Sequence, residues 1–552
     1  MFVNAAKDAT TGAYHFTEYS PTPVEMSLSN NGTLLIDKLP ADHKYTITET
    51  ATGANYEIKD ATETVTLTNS APDATVTYYN NRKSANLEVL KYGKTLDGVT
   101  YEARIDSQIP GMAALNEAVE FKLKTYTGSY VTATGKDGDY EYLGGADEEG
   151  ATVFTLDDEG KFKISNLPTS PDRDSKYVLV EINTAKGYKL AEPEEILLMS
   201  NTAIPIDNNE EGITMAINKK FILAQIGEDK ASDEMYEKCK FVIKNKGGKY
   251  LLFTLTDAEK GTYTYATRTD NKEDATVLSL GQISHQSVIE SLPLDEYIVE
   301  EIVDTSIFTP TETTITVDAT TGEDVDITFE NEELSGGFSI YKKTASMHNV
   351  SGIQFRIYGK SYGGREIDVR TSETDASGFI SVNSIPYGEY TIEECGDTVL
   401  GCFSVADGQK IVINKPLSEI KPELSFMNEL YSGVIKINKA TETGKPLQGF
   451  EFTIYAEEDI YEGLEIEENL LYKKGEAIEV LVTDVNGNAE STYILPYNYK
   501  YTIKETKAIK PYNCDAAPQT IYLERTEENE SVYYTVSDTV DIKIKREHLK
   551  NN

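Results

Sequence analysis

Five times along this chain a turn is followed by Leu-Pro or Ile-Pro and then by a Tyr-x-apolar-x-Glu run: YTITE ending at Glu49, YVLVE at Glu181, YIVEE at Glu301, YTIEE at Glu394 and YTIKE at Glu505. Side chains alternate along an extended strand, so the Tyr, the central aliphatic residue and the Glu share one face. Each copy therefore sends a carboxylate toward the apolar side, where an unpaired charge is costly. Two partners recur with it. Near the start of three segments a Lys sits on the apolar face of a strand, as Leu87, Val89, Lys91, then Phe338, Ile340, Lys342, then Ile435, Ile437, Lys439. Near segment ends a carboxamide or carboxylate does the same, as Val76, Tyr78, Asn80, then Ile327, Phe329, Asn331, then Leu424, Phe426, Asn428, then Tyr534, Val536, Asp538. Asn218, after Ala216, offers a weaker version for the second segment.

Lys, Glu and Asn in one dry core form a reactive set. Desolvation lowers the Lys pKa and raises that of Glu, so a neutral amine can face a protonated carboxyl. The amine is then a nucleophile, and the Asn carboxamide carbon is an electrophile that the Glu proton can polarise. The product is an amide bond between side chains, with ammonia lost from Asn or water from Asp. Holding the groups in contact supplies the effective concentration that so slow a reaction needs. The plainer reading of each inward Glu is a carboxylate capped by backbone amides or by the repeated Tyr hydroxyl, with no covalent product.

The elements that must position these groups are short strands. The chain is rich in Tyr and Thr, lacks Trp and has many brief alternating runs, which predicts an all-β fold. At 552 residues it exceeds a single core, and the motif recurs at domain-sized intervals. Polar joints then divide it into five tandem modules: 1–83, 84–219, 220–334, 335–431 and 432–552. The joints are a few residues long, which predicts a semi-rigid rod. Turns ending at Gly32, Gly160, Gly378 and Gly487 suit tight hairpins, because Gly takes positive φ without strain. Gly- and Tyr-rich insertions in the second and third modules, such as YTGSYVTATGKDGDYEYLGG, predict extra hairpins.

With 52 basic against 92 acidic residues the formal net charge is −40, which opposes binding to nucleic acid and to anionic membranes. No apolar run has the length of a membrane helix, and MFVNAAKD lacks the parts of a signal peptide, so the chain is expected to be cytosolic or a piece trimmed of export and anchoring signals. Five scattered His give no metal spacing, and the turns lack the later bidentate Glu of a calcium loop, so neither metal nor cofactor is expected. Of the four Cys, Cys395 and Cys402 flank GDTVLG, where a hairpin would allow a disulfide; two free thiols is the plainer reading.

The order of Lys strand, D-x-x-G, L-P, Y-x-x-x-E and terminal Asn resembles the Cna protein B-type (SpaA-like, prealbumin-like) domains of Gram-positive surface adhesins and pilins. The fifth module, with VIKINKATETGKPLQGFEFTIYAEEDIY, TDVNGN and LPYNYKYTIKETKAIKPY, shows it best. The resemblance implies immunoglobulin-like or prealbumin-like β-sandwiches and intramolecular isopeptide bonds: Lys91–Asn218 with Glu181, Lys342–Asn428 with Glu394, and Lys439–Asp538 with Glu505 as acid and base. In the third module FILAQIG puts Gln225 at the Lys position, so Glu301 and Asn331 are expected to form no bond. The first module reads as lacking its Lys strand, which leaves Glu49 and Asn80 awaiting a partner. Truncation is the favoured cause, and docking of a strand from another chain is the alternative. The implied function is a structural and adhesive stalk on the cell surface, attached to the cell wall, meeting a host protein or glycan and other pilus subunits. It is not an enzyme beyond self-cross-linking. The competing reading is an array whose insertions within residues 84–333 bind a carbohydrate or host protein. An enzyme acting on an external substrate is a distant third, since no nucleophile, base and oxyanion set can be assembled.

Overall fold

The structure, a computed structural model, describes residues 1–399, 403–441, 443–462, 465, 467–512, 514, 517–524 and 533–538, with the backbone alone for 468 and 533–538. β-Branched and aromatic residues pack well on a pleated, half-buried surface, and strands dominate accordingly.

The fourth module shows the plan. Its first strand, Ser335–Thr344, lies at the centre of a three-stranded sheet, antiparallel to Phe379–Pro386 and parallel to the closing strand Glu423–Asn428. A second sheet runs in the order Glu366–Arg370, Phe355–Ser361, Gly388–Glu394, Gln409–Ile413. Between them lies a core that includes Phe338, Ile340, Phe355, Ile357, Ile392 and Phe426. A parallel pair needs a long crossover, and here the crossover is the whole module. The first and last strands of the module are thus neighbours.

The fifth module repeats this with Ser432–Lys439 parallel to Tyr533–Asp538, and Glu451–Ala456, Tyr499–Lys507 and Gln519–Leu523 in the opposing sheet. In the second module the predicted insertion is a hairpin, Tyr130–Lys136 with Asp139–Ala146. It does more than decorate the sandwich. Asp139–Ala146 also pairs in parallel with Lys161–Pro168, so the hairpin joins the two sheets into one continuous path. Tyr250–Asp257 and Thr262–Thr269 do the same in the third module.

One boundary differs from the sequence expectation. The second module closes on Thr202–Asn209, which runs parallel to its first strand Ser84–Lys94. The next strand, Ile213–Ile222, opens the third module and pairs in parallel with that module's closing strand Val325–Glu333. A boundary at 219/220 would cut this strand in two, so the division falls near Gly212, whose φ of +76° makes the turn.

Two repeated motifs acquire physical reasons. The hydroxyls of Tyr45, Tyr177, Tyr390 and Tyr501 donate to the carbonyls of Pro40, Pro168, Pro386 and Pro496 at 2.7 to 2.8 Å. The Tyr is therefore committed to the Pro of its own motif. In the turns, Asp157, Asp375 and Asp484 each accept backbone N–H groups within the turn. The turn glycine's carbonyl then accepts the backbone N–H of the inward Lys: Gly160 from Lys91 at 2.8 Å, Gly378 from Lys342 at 2.7 Å and Gly487 from Lys439 at 2.7 Å.

Candidate cross-linking sites

In the fourth module Lys342 and Asn428 come from neighbouring strands of one sheet, and Glu394 reaches across the core from the other. Lys342 Nζ donates to Asn428 Oδ1 and lies 3.0 Å from Glu394 Oε1. The Asn428 amide donates to the same Oε1 at 3.1 Å, while Glu394 Oε2 accepts the Ala406 N–H at 2.8 Å. One carboxylate oxygen thus touches both the amine and the amide nitrogen. All three side chains are buried. Burial pulls the Lys342 ammonium below its ordinary pKa, with Glu394 partly restoring it.

The second module is built the same way with one correction. Lys91 Nζ donates to Asn208, not Asn218, and sits 3.1 Å from Glu181 Oε1. Asn208 donates to that same Oε1 at 2.9 Å and to Thr184, and Glu181 Oε2 accepts the Ala191 N–H at 2.6 Å. Asn208 is fully buried, and Phe121 stands against the Lys91 ammonium 5.5 Å away. Burial lowers the Lys91 pKa to about 8. Asn218 lies on the opposite face of the next strand, where its amide donates to the Ile327 carbonyl and its oxygen accepts from Gln286. Ile204, Ile206 and Asn208 alternate as the other closing strands do, and that was the signal available in the sequence.

The third module overturns the expectation of a missing lysine. Met215, Ile217 and Lys219 form the inward face of Ile213–Ile222, and Gln225 lies beyond the strand, exposed. Lys219 Nζ is 2.7 Å from Glu301 Oε1, which also accepts the Asn331 amide at 3.0 Å. Asn331 Oδ1 and Glu301 Oε2 have no hydrogen-bond partner although buried. Burial again lowers the Lys219 pKa.

In the fifth module Lys439 Nζ lies 3.1 Å from Glu505 Oε2, both side chains sealed, with the Phe450 ring 5.4 Å from the ammonium. Asp538 pairs with Lys439 through the backbone; its side chain is outside the described residues. The pairing is shifted by two residues relative to the other modules, where the Lys faces Ile206, Phe329 or Phe426, two positions before the Asn.

A common register sets the Glu. Glu181, Glu301, Glu394 and Glu505 pair across the neighbouring antiparallel strand with Phe121, Phe241, Phe355 and Phe452. Each carboxylate is therefore fixed beside an aromatic ring within the core.

Residues 336–398 and 433–539 match the family model described as SpaA, prealbumin-like fold domain. The fourth and fifth modules are SpaA-type domains. The second and third modules share with them the parallel pairing of first and last strands around a Lys, Glu and Asn cluster. No curated protein matches the sequence. Among solved structures the chain is similar to the Bacillus anthracis TIE protein, at 18% identity over 76% of this chain and 68% of that one, with a TM-score of 0.37. It is also similar to the shaft pilin SpaA from Lactobacillus rhamnosus GG, at 19% identity over 46% of this chain and 98% of that one, TM-score 0.19. BcpA, the major pilin subunit of Bacillus cereus, aligns at 14% identity over 63% of this chain and 100% of that one, TM-score 0.25. Cys402 lies outside the described residues; Cys239 and Cys395 are buried thiols and Cys514 is exposed.

Proposed function

We propose that the second to fifth modules lock themselves with isopeptide bonds Lys91–Asn208, Lys219–Asn331, Lys342–Asn428 and Lys439–Asp538, and that the chain serves as a structural, adhesive stalk on the surface of a Gram-positive cell. The observation that carries this reading is the single Glu oxygen touching both Lys Nζ and Asn Nδ2 in the second, third and fourth modules. A neutral amine attacks the Asn Cγ, the new Nζ–Cγ bond forms as Cγ–Nδ2 breaks, and the Glu oxygen carries a proton from the attacking to the leaving nitrogen, which departs as ammonia. At Asp538 the leaving group is water.

The bonds join strands that open and close a module, so tension entering one and leaving the other would bypass the chain between them; Lys91 and Asn208 are 117 positions apart in sequence. Such a load path suits a surface stalk whose partners are pilus subunits and host proteins or glycans. Intact-mass spectrometry of the purified chain tests the reading: the expected deficit is three ammonia and one water, and a mass equal to the unmodified sequence would remove it.

A further inference from the structure

The Asn208 carboxamide is held on each of its polar atoms. Its Oδ1 accepts the Lys91 ammonium, and since an ammonium only donates, this contact fixes which atom of the amide is oxygen and which is nitrogen. Nδ2 then donates one hydrogen to Glu181 Oε1 at 2.9 Å and the other to Thr184 Oγ1 at 2.5 Å. Thr184 follows directly on the strand Tyr177–Asn183 that carries Glu181, three residues beyond the acid. The first module places its groups alike: Asn80 donates to Glu49 Oε1 at 2.7 Å and to Thr52 Oγ1 at 2.8 Å, and Thr52 again stands three residues after the Glu. Asp304 and Asp397 occupy that position in the third and fourth modules. Their carboxylates are engaged by Ser306 and Arg370, and the amides of Asn331 and Asn428 donate, among the described residues, to Glu301 and Glu394 alone.

The Thr184 hydroxyl thus sits on the atom that must leave. In the starting amide the nitrogen lone pair is delocalised into the carbonyl, and both hydrogens lie in the amide plane as donors. Addition of the Lys91 amine to Cγ makes that carbon tetrahedral and turns Cγ–Nδ2 into a single bond that can rotate, with a localised, basic lone pair on the nitrogen. For ammonia to depart, this lone pair, and not an N–H, has to face the proton on Glu181 Oε1. The N–H anchored on Thr184 sets the rotation that achieves this. Of the two groups on Nδ2, Glu181 is buried and Thr184 half-buried, so the way out for ammonia lies on the threonine side.

We infer that Thr184 is a further catalytic residue of the second module, whose hydroxyl holds the leaving nitrogen of Asn208 so that the lone pair formed on addition of Lys91 meets the Glu181 proton. Nζ–Cγ forms, Cγ–Nδ2 breaks, one proton passes from Nζ to Nδ2 through Glu181, and ammonia leaves; Thr184 keeps its own proton throughout. The inference rests on the self-cross-linking chemistry proposed above.

The test follows the mass of the Lys91 peptide after the full chain, made by cell-free translation into denaturant, is diluted into buffers of different pH. Thr184→Val keeps the side-chain shape and removes the acceptor. Closure of the second module should slow at least about tenfold, with the pH profile still centred at about 8, while the third to fifth modules of the same molecules close at parental rates. Thr184→Ser, which retains the hydroxyl, should close within about twofold of the parental rate. Parental-rate closure in Thr184→Val, equal slowing in Thr184→Ser, or slowing with a displaced pH midpoint, the mark of loosened packing around Lys91, overturns the inference. If the parental chain shows no ammonia loss between Lys91 and Asn208, the cross-linking reading itself fails and takes the inference with it.

Discussion

Lys219 Nζ stands 2.7 Å from Glu301 Oε1 with both side chains fully sealed from solvent. A buried ion pair of this kind is poor evidence of stabilisation in its own right, because desolvation offsets most of the attraction. Its recurrence beside an amide in three modules makes better sense as the resting geometry of a reaction. Lys219→Arg should therefore leave the chain heavier by one ammonia after allowance for the substitution, since guanidinium is not a nucleophile near neutral pH. Asn208→Ala should likewise restore one ammonia, and Asn218→Ala should restore none. Peptide mapping decides each case, and a deficit unaffected by Lys219→Arg would remove the third module from the scheme.

The β-sandwich class and the Glu positions were legible because Tyr-x-x-x-Glu keeps its polar residue in phase with its apolar ones. The misreading arose where two alternating strands follow each other directly, Thr202–Asn209 and Ile213–Ile222. Shifting the phase by one residue moves every side chain to the other face. Taking Asn218 as inward made Lys219 outward, and the third module then seemed to lack its amine.

The rate of bond formation in the second module should depend on pH through Lys91. Burial holds its ammonium down at about 8, so the reactive neutral amine grows in proportion as pH rises toward that value and saturates above it. Roughly tenfold faster closure per pH unit is expected well below about 8, with a plateau above. The chain can be made by cell-free translation into denaturant, diluted into buffers of different pH and followed by mass at the Lys91 peptide. A flat profile would show that amine deprotonation does not limit the step.

Removing a bond while keeping the ion pair isolates what the cross-link contributes. Asn428→Ala does this, because Lys342 and Glu394 remain 3.0 Å apart. The lost bond spans 86 residues. By analogy with a disulfide closing a loop on the order of 100 residues, the fourth module should lose about 4 to 5 kcal/mol. Denaturant unfolding followed by limited proteolysis of that module would show it, and an unchanged midpoint would mean that no bond had formed there.

Gly378 controls the same site from outside the cluster. Its φ is +71°, and a Cβ there would lie 2.2 Å from the Lys342 carbonyl oxygen, a backbone atom that cannot swing aside. Gly378→Ala must therefore displace the Lys342 strand or the turn that holds its N–H. The expected result is one ammonia regained in the fourth module, or closure slowed at least tenfold, with the other modules unaffected. Complete closure at the parental rate would show that the turn does not position the lysine.

Arg365 ties the third module to the fourth. Its guanidinium pairs with Glu333 and donates to the carbonyl of Glu228 at 2.6 Å and that of Ile226 at 3.3 Å, while Glu333 Oε2 also accepts the Ala224 N–H at 3.1 Å. Arg365 is 4% and Glu333 3% exposed, and burial pushes the Glu333 pKa up against the pull of the arginine. Replacing Arg365 by Ala would leave that carboxylate buried without its counter-charge, a change that typically costs about 3 to 5 kcal/mol. Lys at this position lacks the planar fork that reaches several acceptors at once and should rescue little. Proteolysis should then cut within residues 223–231, and the two modules should unfold in separate transitions. A single transition at the parental midpoint in Arg365→Ala would mean that the joint is held by the surrounding apolar contacts instead.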